Sequence, residues 1–177
     1  FTGMSPGSLG LYGFRSVGNK YTEIELVDSS KIPVHRTVWY RLGLFGKKVI
    51  VQGVPPSYPP YAVNGKLVSC FITPGSDSSY TYPAGLKQEL EREVGKYIPD
   101  VMFRTDNREE LLESIYEMSE NHFRIAEYLL SQHDWDFYAM VEIGLDRLQH
   151  AFWRYFDRNH PLYEKDSGFE NVIKDYY

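Results

Sequence analysis

At 177 residues, 42% hydrophobic and 16% aromatic, the chain is long enough for one globular domain with a substantial core. The balance of 19 basic against 24 acidic residues gives a net charge of -5 with no basic block, which argues against a nucleic-acid polymer as partner and leaves small phosphorylated ligands open. No apolar run reaches the roughly 20 residues of a bilayer span, and Cys70, the single cysteine, precludes an intrachain disulfide, so a reducing, cytoplasmic setting is the simpler expectation.

Residues 1–19 are rich in glycine and contain one proline, a composition that suits an irregular loop. After Ser29 and Ser30, Val34, Val38, Leu42 and Phe45 recur at helical spacing and predict a helix ending near Gly43 or Gly46. KKVIVQGV, Lys47 to Val54, is β-branched without helical period and reads as a buried strand. Four prolines make Pro55 to Gly65 a loop, and KLVSCFI is a second strand. A further loop, TPGSDSSYTYP, leads into a surface helix over AGLKQELEREVGKY. DVMFRT is a third, shorter strand candidate.

Asp106 and Glu109 resemble a capping box ahead of a long helix. Its apolar side carries Leu111, Leu112, Ile115, Met118, Ile125, Ala126, Leu129 and Leu130, and it should end near Gln132. Phe137 to Ile143 is the strongest strand pattern, and GLDRLQHAFWRYF returns to helix. Strands alternating with helices predict an α/β fold, a three-layer sandwich with a mostly parallel sheet and helices on both faces. The chain opens FTGM without an initiator methionine and stops within the amphipathic pattern NVIKDYY. It therefore reads as one α/β domain over 1–177 that is an internal piece of a larger catalytic domain, which keeps a secreted parent open.

The stretch GLDRLQHAFWRYFD carries the chemistry. At 100° per residue Leu145, Leu148, Phe152, Tyr155 and Phe156 share one stripe, while Asp146, His150, Trp153 and Asp157 fall on another. The acid and the imidazole sit one turn apart just after a strand, where open α/β sheets place their ligands. Two readings stand. The pair is a surface i,i+4 contact, or it is half of a site for Zn, Mn or Fe, metals that accept mixed carboxylate and imidazole ligands. Glu142, on the preceding strand, either supports Asp146 or is a buried acid satisfied elsewhere. Cys70, within a strand pattern, reads as a buried structural thiol. Gly3, Gly7, Gly10 and Gly13 match no phosphate-binding fingerprint and read as loop-shaping residues.

Taken together, FTGMSPGSLGLYGF, VPPSYPPYAVNGKLVSCFITPG and DWDFYAMVEIGLDRLQHAFWRYFD resemble, in order and spacing, the alkaline-phosphatase superfamily in its type I phosphodiesterase/nucleotide pyrophosphatase-like branch. That resemblance implies a two-metal hydrolase of small phosphate esters or nucleotide-like substrates, with Asp146 and His150 binding one of two divalent metals, zinc first, Mn or Fe otherwise. It also implies that the nucleophilic Thr or Ser and a first metal-binding Asp lie upstream of Phe1 and a further Asp-His pair and a last His beyond Tyr177, so no catalytic residue is assigned here and this chain alone should be inactive. Thr2 belongs to the TG of the first loop. Ser8, Leu9 and Gly10 stand where many relatives carry a histidine. Tyr58, Tyr61 and Trp153 are candidates to edge a substrate pocket, with packing as the alternative for the two tyrosines.

Overall fold

The computed structural model describes residues 1–17 and 24–177. It opens on a helical turn, α1 (Pro6–Leu9), because Ser5 caps the Ser8 amide at 3.2 Å and Pro6 arrives with its φ already set for a helix. β1 (Arg15–Val17) and β2 (Ile24–Leu26) then pair antiparallel. The irregular start expected for residues 1–19 thus contains a helical turn and a strand, and its last two residues, Gly18 and Asn19, lie outside the described part.

α2 (Val38–Leu44) begins four residues later than the Val34 spacing predicts. Pro33 precedes a short 3-10 turn over Val34–Arg36, and Thr37 becomes the cap by accepting from the Tyr40 amide at 3.3 Å. The buried face is also different, since Trp39 is enclosed while Val38 and Phe45 are exposed.

The centre is a four-stranded sheet built from β3 (Val49–Gln52), β4 (Gly65–Val68), β5 (Thr81–Tyr82) and β6 (Phe137–Met140). β3 lies between β4 and β6 and runs parallel to both, in registers Val49↔Gly65 and Val49↔Phe137, while β5 pairs antiparallel on the outer side of β4. Strand alternation sends side chains to opposite faces. Ile50, Val68 and Tyr138 pack with α3 (Leu86–Glu93) and α4 (Arg108–Gln132). Val49, Val51, Leu67, Phe137 and Ala139 pack with Trp39 of α2. Helices on both faces of a mostly parallel sheet make the expected three-layer α/β sandwich. Burying a side chain such as Ile50 or Leu129 stabilises it by roughly 1.5–3 kcal/mol.

Gln52 is the polar exception in β3, and both ends of its amide are satisfied: Nε2 donates to the His122 carbonyl at 2.7 Å and Oε1 accepts from the Tyr138 hydroxyl at 3.0 Å. That pair ties the sheet to α4.

Two sequence expectations are corrected on the way to the site. Residues 100–105 form no strand: Asp100 turns to Arg147, Val101 and Phe103 pack against the helical cluster beyond, and the sheet's fourth strand comes instead from Thr81–Tyr82, within the segment expected to be loop. The cap of α4 is Asn107 rather than Asp106, and its partner is Glu110 rather than Glu109. Asn107 accepts from the Glu110 amide at 3.3 Å and its side-chain amide donates to the Glu110 carboxylate at 2.7 Å, while its backbone amide donates to Thr105, so the cap lies one residue later and lacks the backbone half of a capping box. α4 ends at Gln132 as expected.

After β6 the chain enters α5 (Gly144–Phe156) and finishes in α6 (Val172–Tyr176). Leu111 and Ile115 of α4, Leu148, Phe152 and Tyr155 of α5 and Val172 of α6 form their own cluster. No helix among the described residues is long and apolar enough to cross a membrane.

Candidate functional site

α5 starts where β6 ends, so its first two turns stand at the carboxyl edge of the sheet. Gly144 opens it at a point of close approach: a Cβ there would run into the hydroxyls of Ser119 and Tyr176 and the carboxylate of Glu142. Glu142 accepts from the Gly144 amide at 2.7 Å, from the Tyr176 hydroxyl at 2.8 Å and from Ser119 at 3.2 Å, and it faces His122 Nδ1 at 3.7 Å. Burial pushes its carboxyl up, but His122, the Gly144 amide and Tyr176 more than offset this and bring it down from 4.5 to about 2. Glu142 thereby fixes the start of α5 against α4 and α6. None of its bonds among the described residues goes to Asp146.

The buried side of α5 is Gly144, Arg147, Leu148, Ala151, Phe152 and Tyr155. Leu145 and Phe156, expected on the core stripe, are half-buried and exposed respectively, because an arginine occupies the stripe's edge in their place. Asp146 and His150 stand off that face, with side chains 47% and 61% exposed. Asp146 Oδ1 lies 3.6 Å from His150 Nε2.

What holds the pair is Arg147. Its guanidinium forks onto Asp100, with Nε 2.7 Å from Oδ1 and Nη2 2.6 Å from Oδ2, and its remaining arm, Nη1, donates to Asp146 Oδ2 at 2.8 Å. The same cation lies over the rings of Phe103, 4.4 Å from the centroid, and Phe71, 5.2 Å away. Phe103 also meets the His150 ring, with centroids 5.8 Å apart. One buried cation serves two carboxylates, so the cluster keeps a negative charge. Asp146 Oδ1, on the side of His150, carries no arginine contact.

Two ligand atoms each about 2.0–2.1 Å from a tetrahedral metal are about 3.3 Å apart. The 3.6 Å between Oδ1 and Nε2 therefore suits a shared divalent ion after a small adjustment. A carboxylate with an imidazole is a donor set for zinc, manganese or iron. Among the described residues no group of three or more His, Cys, Asp or Glu side chains is arranged to hold a metal. Two donors are half of the four that a tetrahedral ion takes.

Beside it opens a cleft of about 440 Å³ lined by Phe103, Arg104, Thr105, Asp106, Arg108 and His150. Of the candidate site residues named from the sequence, His150 alone lines it. Trp153 is one turn further along α5, donating to Asp157 at 3.1 Å and meeting Phe156 edge-on. Tyr61 packs against the cluster beneath α2, where Trp39 Nε1 donates to its hydroxyl at 3.2 Å and burial raises it to about 12. Tyr58 is half-buried, its carbonyl accepting from the Ser29 amide at 2.8 Å. Cys70 is fully buried as expected and accepts a long hydrogen bond from the Ser57 amide.

Sequence reasoning missed Asp100, Phe103 and Arg147. One signal was present. A charged residue beside Leu148, Ala151, Phe152 and Tyr155 on a helix face demands a buried counter-charge. Asp100, 47 residues earlier, could not be identified without the fold.

A family model described as type I phosphodiesterase / nucleotide pyrophosphatase matches residues 1–173. No curated protein and no solved structure matches the chain significantly.

Proposed function

The chain belongs to the type I phosphodiesterase / nucleotide pyrophosphatase family, and from that premise we propose that it contributes one metal's ligands, Asp146 and His150, to a metal-dependent phosphoric-ester hydrolase. The observation that carries the reading is the pair itself: a carboxylate oxygen and an imidazole nitrogen 3.6 Å apart, half exposed, beyond the carboxyl end of β6, the parallel strand at the edge of the sheet. Zinc is the first expectation, with manganese or iron as alternatives. When bound, such a metal supplies charge to polarise a phosphoryl oxygen and to ease deprotonation of a nucleophilic hydroxyl.

The chain's own residues do the positioning. Arg147 fixes one oxygen of Asp146 and leaves the other toward His150, while Phe103 braces the imidazole ring. Glu142 sets the helix that carries both. The substrate is a small phosphate ester or nucleotide-like molecule, in keeping with a net charge of -5 that disfavours long polyanions. No nucleophile is assigned among these residues, so the 177-residue chain alone is expected not to turn over bis-nitrophenyl phosphate.

The test is calorimetric titration with Zn and Mn, paired with diester hydrolysis, on the longest protein that carries this chain. Asp146→Ala and His150→Ala are each expected to remove one metal equivalent and to abolish turnover. Unchanged metal content and hydrolysis in both variants would leave Asp146 and His150 as a surface contact on α5 and would overturn their assignment as metal ligands, whereas absence of both metal uptake and hydrolysis in the unmutated protein would point to a non-catalytic α/β domain.

A further inference from the structure

Residues 31–48, which carry α2 and its flanking turns, contain Lys31, Arg36, Arg41, Lys47 and Lys48 and not one of the chain's 24 acidic residues. In a chain of net charge -5 this segment has a local charge of +5. Spread out as they are, the cations form no block in the sequence. The fold brings His35, Arg36 and Arg41 around one concavity of about 460 Å³, with Leu44 on its wall. Lys47 reaches Asp136 at 2.9 Å, whereas among the described residues no carboxylate pairs with the side chain of Arg36, Arg41 or Lys48, all of them exposed.

The same surface presents carbon that the core does not take. α2 buries Trp39 against the sheet, which leaves Leu44 71% and Phe45 84% exposed at the helix end. Gly46, at φ 73°, closes the helix, and the amides of Gly46 and Lys47 bond back to the carbonyls of Gly43 and Leu42 at 3.0 and 3.1 Å. The leucine and the phenylalanine are thus carried outward on a hydrogen-bonded turn between Arg41 and Lys47.

An apolar pair set among unneutralised cations complements the anionic surface of a lipid bilayer. Lysine and arginine are drawn to acidic headgroups, and leucine and phenylalanine seat at the boundary between headgroups and acyl chains. The phosphate backbone of a nucleic-acid duplex would engage the cations and leave Leu44 and Phe45 in water. We propose that α2 and the turn over residues 44–48 form a peripheral docking surface for membranes that contain anionic phospholipid. β3 begins directly after Lys48 and runs parallel to β6, so this turn stands at the amino edge of the sheet, while Asp146 and His150 follow its carboxyl edge. A docked chain therefore keeps the candidate metal pair on the edge away from the lipid. The docking surface is independent of the hydrolase reading, since it shares no residue with that site.

The experiment is co-sedimentation of the full chain with vesicles of phosphatidylcholine alone and of phosphatidylcholine mixed with phosphatidylglycerol. Wild type should bind the mixed vesicles and not the neutral ones, and should be released as salt shortens the screening length from about 10 Å at 0.1 M to about 3 Å at 1 M. Arg41→Gln and Lys48→Gln should each lower the partition coefficient about fivefold, and the triple variant with Arg36→Gln about a hundredfold. Phe45→Ser should lower it about tenfold without changing the charge. Phe45→Trp should retain binding, and its added fluorescence should shift to the blue on mixed vesicles. Lys165→Gln, which removes an exposed cation beside Asp166, should bind as wild type does. All of these side chains are at the surface, so melting curves should overlay. Failure of wild type to bind mixed vesicles, or equal binding by the triple glutamine variant, overturns the proposal. So does loss of vesicle binding in the longest protein that carries this chain, because the face would then be covered from within. Binding to poly-glutamate in place of mixed vesicles would overturn the membrane in favour of an acidic protein partner.

Discussion

Glu142 and Asp146 stand one helical turn apart at the junction of β6 and α5, yet the two carboxylates have opposite surroundings. Every direction around Glu142 is filled: an amide, two hydroxyls and an imidazole converge on it, and its pKa falls to about 2. Asp146 has one oxygen committed to Arg147 and the other facing His150 across 3.6 Å at a half-exposed surface. The first acid is saturated with protein partners and has nothing left to offer a ligand. The second has a free coordination position, held in place by a cation whose own charge is met elsewhere. Placement at a strand's carboxyl end is common to both. Free valence is what separates a saturated carboxylate from one still able to accept a ligand.

The sharpest way to break that contrast is to remove the group that maintains it. Asp100→Ala takes the forked partner from Arg147, whose side chain is only 8% exposed, and leaves a buried cation with Asp146 as its sole carboxylate. Orphaning one member of a buried pair costs about 3 kcal/mol. Chemical denaturation should show a loss of that order, and metal uptake should weaken because Arg147 then draws on both oxygens of Asp146. A loss below about 1 kcal/mol would mean that Asp100 is dispensable to the cluster.

Glu142→Gln comes next in size and carries a pH signature. The folded carboxyl titrates near 2, below its ordinary 4.5. A depressed acid contributes its full stability above about pH 4.5 and loses it as pH falls toward 2. With solvent screening discounted, that contribution is about 2 kcal/mol at neutral pH. Wild type should therefore lose its advantage over Glu142→Gln between pH 4.5 and pH 2, as followed by thermal melts across that range. Parallel pH profiles for the two proteins would show that the network around Glu142 does not depend on its charge.

The same contrast explains what was legible in the sequence. β3, β4, β6, the two-sided sheet and the extent of α4 follow from local periodicity, which β-branched runs such as VIVQ and the leucine spacing of 111–130 display directly. Asp146 and His150 stand out as a pair off the core face because their spacing is short and their helical phase is readable, and it is the family resemblance that names them as ligands. Residues 100–105 were misread as a strand because alternating apolar residues look alike whether they pair in a sheet or pack under helices. Here Asp100 is committed to Arg147, a contact 47 residues away that no local pattern encodes.

Asp146→Ala should have the smallest effect on stability and the largest on ligation. The carboxylate is 47% exposed and forms one hydrogen bond to Arg147, which keeps both of its bonds to Asp100 when Asp146 is gone. What the fold loses is a partly screened ion pair and a favourable acid in the first turn of α5, together less than about 1 kcal/mol. Denaturation of Asp146→Ala should therefore nearly overlay wild type, while titration with zinc should show the loss of a binding equivalent. Glu142→Gln should give the reverse, reduced stability with metal uptake retained. Were both substitutions to lower stability and metal uptake in proportion, the two carboxylates would be parts of one structural network, and free valence at Asp146 would no longer distinguish it from Glu142.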